Sequence, residues 1–562
     1  MPYPELTTVP HVNSVRRKNN MSIKNFDFPG TTLRQEFVEA STGNTPTLAA
    51  VIVGRQYITH RADVESEAVG WGETVIDASN GKVFSAYPDG IKNVENIDTA
   101  NAKVIIRDAL VRYVDAVTSG VTLSGATLTF TSSLPAKLAV GDYLIVTIST
   151  TATIVKVMSF NATSKTVTID NTTLTGTVAS VEFCRMYSED IEVSPTLGTS
   201  SVTIAAVTAA IEDLSSSALP VVYGKVYLSC RESTDAFVNK LGSVERSTEV
   251  ASILGNPCKD NPLAAGVYAA AAAANGSTVY FTAVSADTQA AYNDAMALLD
   301  RYRVYSVVPC TDDTSIAQYV HSANYALSLD EEIKEYRTTW LSINTSVADR
   351  ETAVADLIAK RPVSSYRAQV VFADDILFNG EIMPNYFAAA AAAGMRSYEP
   401  VHRPLSNLTY NFFSVKDTHH FTRAQLKEIA SNGIWIVGNN ADGVPVNMRQ
   451  ITSAMANDLN QDEESIISNA DEIAYTLSTI GEKQAGNSNI SPLLLDILDS
   501  AIKSRMNAKL GNGSNPYVGP QLLDWELLEL YQDSVNLDWV YATIVCTPPK
   551  PFNKFKMTLR IV

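Results

Sequence analysis

The chain has 562 residues, 46% apolar and 18% charged, and a net charge of −17. That length accommodates roughly three or four globular domains, and the acidic balance argues against a nucleic-acid binder of the usual basic kind. No apolar run approaches the ~20 residues of a membrane span, and the polar N-terminus lacks the apolar stretch of a signal peptide.

Residues 1–30, with Pro2, Pro4, Pro10 and a Pro29-Gly30 break, read as an arm rather than a domain. Residues 48–54 (LAAVIVG) form a short buried strand. Residues 121–187 are rich in threonine, valine and isoleucine. Their strand-like pieces LTFTSS, GDYLIVTIST, ATIVKVMSF, KTVTID and ASVEFC suit a small barrel or sandwich. From Val221, the strand-like runs VVYGKVYLS, STVYFTAV, RVYSVVP, TTWLSI and YRAQVVFAD alternate with helical stretches near 262–275, 287–301, 314–334 and 348–360. That alternation predicts a largely parallel α/β sheet.

Two helices are unusual. Pro262 opens one that runs into six alanines (269–274) and stops at Asn275-Gly276. Pro384 opens another that runs through 388–393 and stops at Gly394. Six consecutive alanines leave no bulky ridge, so these read as tightly packed core helices. Residues 433–438 (GIWIVG) and VPVNMRQIT form a hairpin about Asn439, Asn440, Asp442 and Gly443. Residues 452–480 and 491–510 look helical. So do residues 521–534, with acids at Asp524, Glu526, Glu529 and Asp533; 538–546 reads as a strand.

Pro548, Pro549 and Pro551 then stiffen a spacer. Beyond it, Phe555, Met557, Leu559 and Ile561 alternate with Lys554, Lys556, Thr558 and Arg560, a strand with one apolar and one basic face. Such a strand either closes the chain's own sheet or is donated to a neighbour. The charge split bears on this. Residues 1–24 carry Arg16, Arg17, Lys18 and Lys24 against Glu5, and residues 547–562 carry four cations and no acid, so the body between them has net charge −24. Basic tails on an acidic body suit tails that lie on acidic neighbours.

Nothing points to catalysis or to a cofactor. There is no Gly-rich phosphate loop and no G-x-S-x-G elbow. Cys184, Cys230, Cys258, Cys310 and Cys546 lack metal-ligand or redox spacing and read as reduced cytosolic thiols. His419-His420 are adjacent and do not share a helical face, which disfavours a metal site. Asp462-Glu463-Glu464 lacks EF-hand spacing and reads as a solvated helix face or a subunit contact.

Residues 384–409 (PNYFAAAAAAGMRSYEPVHRPLSNLT) followed by 433–453 (GIWIVGNNADGVPVNMRQITSAM) resemble the C-terminal region of tail sheath proteins from contractile-tailed bacteriophages. The segments NPLAAGVYAAAAAANG, STVYFTAV and PGTTLRQEF before LAAVIVG look similar too. The resemblance covers 29–60 and 255–562 and is absent over 100–200, where the family carries variable inserted domains. It implies a multidomain α/β and α+β protein, with an α/β core, an inserted small all-β domain and extended terminal arms that exchange strands between subunits. The divisions expected are an arm at 1–30, first core part at 31–104, inserted β domain at 105–200, α/β domain at 201–380, C-terminal sheath domain at 381–547 and donated strand at 548–562.

The resemblance also implies a structural subunit of a virion tail sheath, assembled in the host bacterial cytoplasm. Its partners would be copies of itself in stacked hexameric rings, a tail tube protein, and baseplate and terminator proteins, without nucleic acid or membrane. Contraction would drive the tube through the host envelope. The interface residues implied are Lys554, Phe555, Lys556, Met557, Leu559, Arg560 and Ile561, with Arg16, Arg17 and Lys18 in the N-terminal arm. A pyocin-type injection particle, a cytosolic α/β enzyme with a β accessory domain, and a capsid or surface-layer protein are the alternatives.

Overall fold

The computed structural model describes residues 48–63, 82–84, 97–197, 202–211, 213–215, 217–329, 335–510 and 518–553. The chain divides into two compact units, one spanning Tyr57–Thr234 and the other joining Met1–Gln56 to Asp235–Val562.

The two-segment unit is built on an eight-stranded sheet. Its strands are β1 (Ala50–Arg55), β2 (Gly242–Val244), β3 (Val279–Val284), β4 (Ser306–Pro309), β5 (Thr338–Ser342), β6 (Ala368–Ala373), β7 (Ile434–Asn439) and β8 (Pro445–Arg449), in the order β2-β3-β1-β4-β5-β6-β7-β8. From β3 to β7 every neighbour is parallel, and the edge strands β2 and β8 are antiparallel. Parallel strands are covered on both faces, so they read as unbroken apolar runs. Every residue of β1 and of β3 through β6 is buried.

Helices α1 (Ser247–Leu254), α2 (Pro262–Ala273), α3 (Gln289–Leu299), α4 (Thr314–Leu329), α5 (Arg350–Lys360), α6 (Tyr386–Tyr398) and α7 (Arg423–Ser431) surround this sheet. On one face Ile52, Val308, Trp340, Val371 and Trp435 pack against α2 and α6. On the other, Val51, Val53 and Val307 meet α3 and α4, while Leu341, Val370, Phe372 and Ile436 meet α5 and α7. Alternate residues of β1 thus serve opposite cores.

The two alanine-rich helices pack directly on each other. All of 388–393 in α6, and Ala269 and Ala270 in α2, are fully buried. Asn275 and Gly276 end α2 with positive φ, as the sequence predicts. Gly394 does not end α6, which continues to Tyr398. It marks the closest approach of α2 instead: a Cβ built there would lie 2.1 Å from the Ala270 carbonyl oxygen and 2.7 Å from Ala270 Cα.

The unit Tyr57–Thr234 is antiparallel. Two long strands, Lys103–Val117 and Leu219–Ser233, pair in its middle, and Tyr57–Asp63 adds to the outer side of the second. Beyond the first, Val178–Met186, Tyr143–Ile148, Thr151–Asn161, Thr166–Ile169, Thr127–Phe130 and Val121–Ser124 continue the sheet. Leu128, Phe130, Leu144, Val155, Val167 and Phe183 fill a core within this curled portion. The run VVYGKVYLS therefore belongs to an antiparallel sheet and not to the parallel one. Its partner, residues 103–117, is an equally long strand whose pairing periodicity alone does not reveal.

After β8 the chain forms α8 (Leu459–Asp462), α9 (Glu464–Gln484), α10 (Pro492–Leu510) and a separate two-stranded ribbon, β9 (Asp524–Gln532) with β10 (Val540–Thr547). The helix expected over 521–534 is thus a strand. A bulge at Leu528, between the pairs Leu527–Ile544 and Glu529–Thr543, shifts the alternation by one residue. The inward residues Trp525, Leu527 and Leu530 are then spaced by two and by three, which breaks the strict alternation of a strand.

Gly394→Ala tests the helix contact. In an open helix interior the change stabilises by about 1 kcal/mol. Here the new methyl meets backbone that has no room to move, so we expect a net loss of about 1–3 kcal/mol in urea unfolding. A gain in stability would refute the close approach.

Candidate assembly interface

The ribbon is held by α9 and α10, and α9 is held by charge. Glu463 and Glu464, read from sequence as solvated or intermolecular, are buried within the chain. Glu464 takes a bidentate pair from Arg396 at the end of α6, at 2.8 and 2.6 Å, and Arg396 also donates to the carbonyls of Pro400 and Arg403. One helix repeat on, Asp471 accepts both Arg367 nitrogens at 2.9 and 2.8 Å, and the Tyr305 hydroxyl at 2.8 Å. Glu472 accepts from Lys509 of α10 and from Gln521, just before β9. Sequence spacing signals none of these pairs, because each basic partner lies 37 or more positions away.

The ribbon's inner face, Trp525, Ile544 and Cys546, rests partly buried on Ile473, Ile502, Met506 and Leu522. Its outer residues are exposed. They include the acids Asp524, Glu526 and Glu529 together with Leu528, Tyr531, Tyr541 and Val545. At the turn, Val535, Leu537 and Trp539 are more than half exposed. Among the described residues β9 pairs only with β10, so both outer edges of the ribbon carry no further strand. A two-stranded ribbon is marginal alone, and an open edge is a template for another strand.

The interface residues expected from sequence (Arg16, Arg17, Lys18, Lys554, Phe555, Lys556, Met557, Leu559, Arg560 and Ile561) lie outside the described residues. What the structure adds is the exposed ribbon. Its acids had been noted at 524, 526 and 529 but placed on a helix.

Polar groups at the carboxyl ends of the parallel strands bond to one another. The Thr311 hydroxyl donates to Asp287, and the Ser342 hydroxyl to Asp312, each at 3.4 Å. His419 lies between two acceptors: Nδ1 is 2.6 Å from Asp374 Oδ1 and Nε2 2.8 Å from the Val347 carbonyl. Both bonds form only when the ring carries two protons. Burial depresses its pKa, but the bonds to Asp374 and Val347 outweigh this and raise it. His321 is the opposite case. Burial lowers it to about 4, and its Nδ1 sits 2.6 Å from the Thr339 hydroxyl. Among the described residues no three His, Cys, Asp or Glu side chains are placed to hold a metal, and no helix is long and apolar enough to cross a membrane.

No family model matches this chain, and no curated protein does. Solved structures do. A chain of the anti-feeding prophage baseplate aligns over 58% of this protein and 90% of its own length, at 14% identity and TM-score 0.46. The helical sheath of the same particle in its contracted state aligns over 57% and 87%, at 14% identity and TM-score 0.43. A sheath tail protein from Desulfitobacterium hafniense aligns over 92% and 100%, at 12% identity and TM-score 0.36.

Two measurements follow from the charged groups. Arg396→Met leaves Glu464 buried without its cation and should cost about 3–5 kcal/mol in urea unfolding. The double change Arg396→Met with Glu464→Leu should recover most of that loss; no recovery would mean the pair is not the anchor. The histidines act on opposite limbs of a pH profile. His321 stabilises the fold above its unfolded pKa of 6.5, and that contribution, up to about 3 kcal/mol, is lost as pH falls toward 4. His419 stabilises below 6.5 and its contribution is lost as pH rises through its elevated folded pKa. His321→Asn should flatten the acid limb and His419→Gln the alkaline limb. Unfolding midpoints from pH 4 to 9 that match wild type would refute these roles.

Proposed function

We propose that this protein is the structural subunit of a contractile bacteriophage tail sheath. It polymerises helically around a tail tube and contracts to drive the tube through the host envelope. Its partners are further copies of itself in stacked rings, the tube protein, the baseplate and the terminator proteins. It works as part of the virion, after assembly in the host cytoplasm. A pyocin-type injection particle would use the same subunit chemistry.

The observation that carries the reading is a complementarity within one chain. Among the described residues no third strand pairs with the ribbon β9–β10, whose exposed acids are Asp524, Glu526 and Glu529. The sequence of residues 554–562 alternates as a strand would, with Lys554, Lys556 and Arg560 at one set of positions and Phe555, Met557, Leu559 and Ile561 at the other. A strand from one subunit, laid on the ribbon of the next, gains about 1 kcal/mol per ladder bond and buries four apolar side chains. This head-to-tail contact is not satisfied within a pair of subunits, so it propagates from each copy to the next and builds a polymer. The motif order along residues 384–453, which resembles sheath proteins, supports the same reading.

Deletion of residues 554–562 tests it. The truncated subunit should stay folded and monomeric in sedimentation, while the full chain forms tubes visible by electron microscopy. Tubes from the truncated chain would overturn strand donation. Precipitation or unfolding of the truncated chain would place the strand in its own body.

A further inference from the structure

The spacer that the prolines stiffen is also fastened at its far end. Pro548, Pro549 and Pro551 are half-buried. Lys550 donates to the Asn460 side chain of α8. Asn553 Nδ2 donates to Glu463 Oε1 at 2.9 Å. Glu463 precedes α9 as its N-cap residue, is fully buried, and is ion-paired with Arg449 at the end of β8. The spacer thus runs from the ribbon to the junction of β8, α8 and α9. The three prolines, each with φ fixed near −65°, leave it few ways to wander.

We propose that the Arg449–Glu463 pair is an anchor that fixes Asn553 as the point where the C-terminal strand leaves the body. The proposal rests on the reading that residues 554–562 are donated to a neighbour. Its consequence is a shorter tether. A strand leaving at Asn553 has no free spacer before it, whereas one free from Thr547 would carry the six residues 548–553 as well, about 20 Å when fully extended. A short tether with a fixed origin confines the strand to one neighbouring ribbon and raises its effective concentration there. Glu463, Arg449 and Asn553 are positioning residues in this account. The strand and the ribbon make the contact itself.

The full-length Asn553→Ala variant tests the anchor. Asn553 is exposed, so its removal should leave the thermal unfolding of the isolated subunit unchanged. The critical concentration for tube formation should rise about twofold or more, because a strand with a freed origin has a lower effective concentration at the neighbouring ribbon. Proteolytic cleavage in the spacer of the unassembled subunit should speed up. Asn553→Asp sets a second carboxylate against Glu463 and should raise the critical concentration further. Critical concentrations equal to wild type in both variants, with the 554–562 deletion still unable to polymerise, would overturn the anchor alone. Tubes formed by the deleted chain would overturn strand donation and the anchor with it.

Discussion

The contact between α2 and α6 is what the rest of the larger unit is arranged around. Two helices share one face of a parallel sheet only if neither presents a ridge to the other, and here both present alanine. At the crossing even a methyl group is too much, and Gly394 lies against the Ala270 backbone. Dispersion between many closely spaced atoms replaces the burial of a few large side chains. The close crossing brings α6 over β4, β5 and β6 and carries its last turn to Arg396. From there the dependence runs outward: Arg396 holds Glu464, Glu464 and Asp471 hold α9, and α9 with α10 holds the ribbon.

Buried ion pairs are a poor source of net stability, because desolvation offsets most of the attraction. What they supply here is uniqueness. An apolar seam between α9 and the core would tolerate sliding by a turn. Two bidentate arginine forks on Glu464 and Asp471 do not, since a shift strands charges away from water. Under the proposed strand donation, a ribbon that meets another subunit needs a fixed position more than it needs extra stability.

The sequence showed these features unevenly, and each failure has a local cause. The parallel strands were legible because burial on both faces leaves uninterrupted apolar runs such as VVFA and VIVG. The alanine helices were legible by composition, and so was the exposed turn after β7. Gly394 was misread because glycine past a helix and glycine at a helix crossing look alike in one dimension. Leu528 hid the ribbon, since a bulge interrupts the period of two by which a strand is read. Glu463 and Glu464 were misread because an acid is buried only when a distant cation meets it, and Arg449 and Arg396 are neighbours of those acids only in the folded chain.

The position of β1 has a consequence for how the protein comes to be made. The strand lies in the interior of the sheet, flanked by β3 and β4, yet it leaves the ribosome well before either of them. About 220 residues, including the whole antiparallel unit, are translated between Arg55 and Val279. At about 5–20 residues per second, that is a wait of roughly 10–45 seconds. Throughout it, a largely apolar strand of six residues has no parallel partner to pair with. The smaller unit closes its own pairings in that interval, while the sheet that carries the ribbon is settled late by contacts of high sequence separation. Nascent-chain synthesis rate, as much as the finished contacts, then governs how much of this protein reaches its native state.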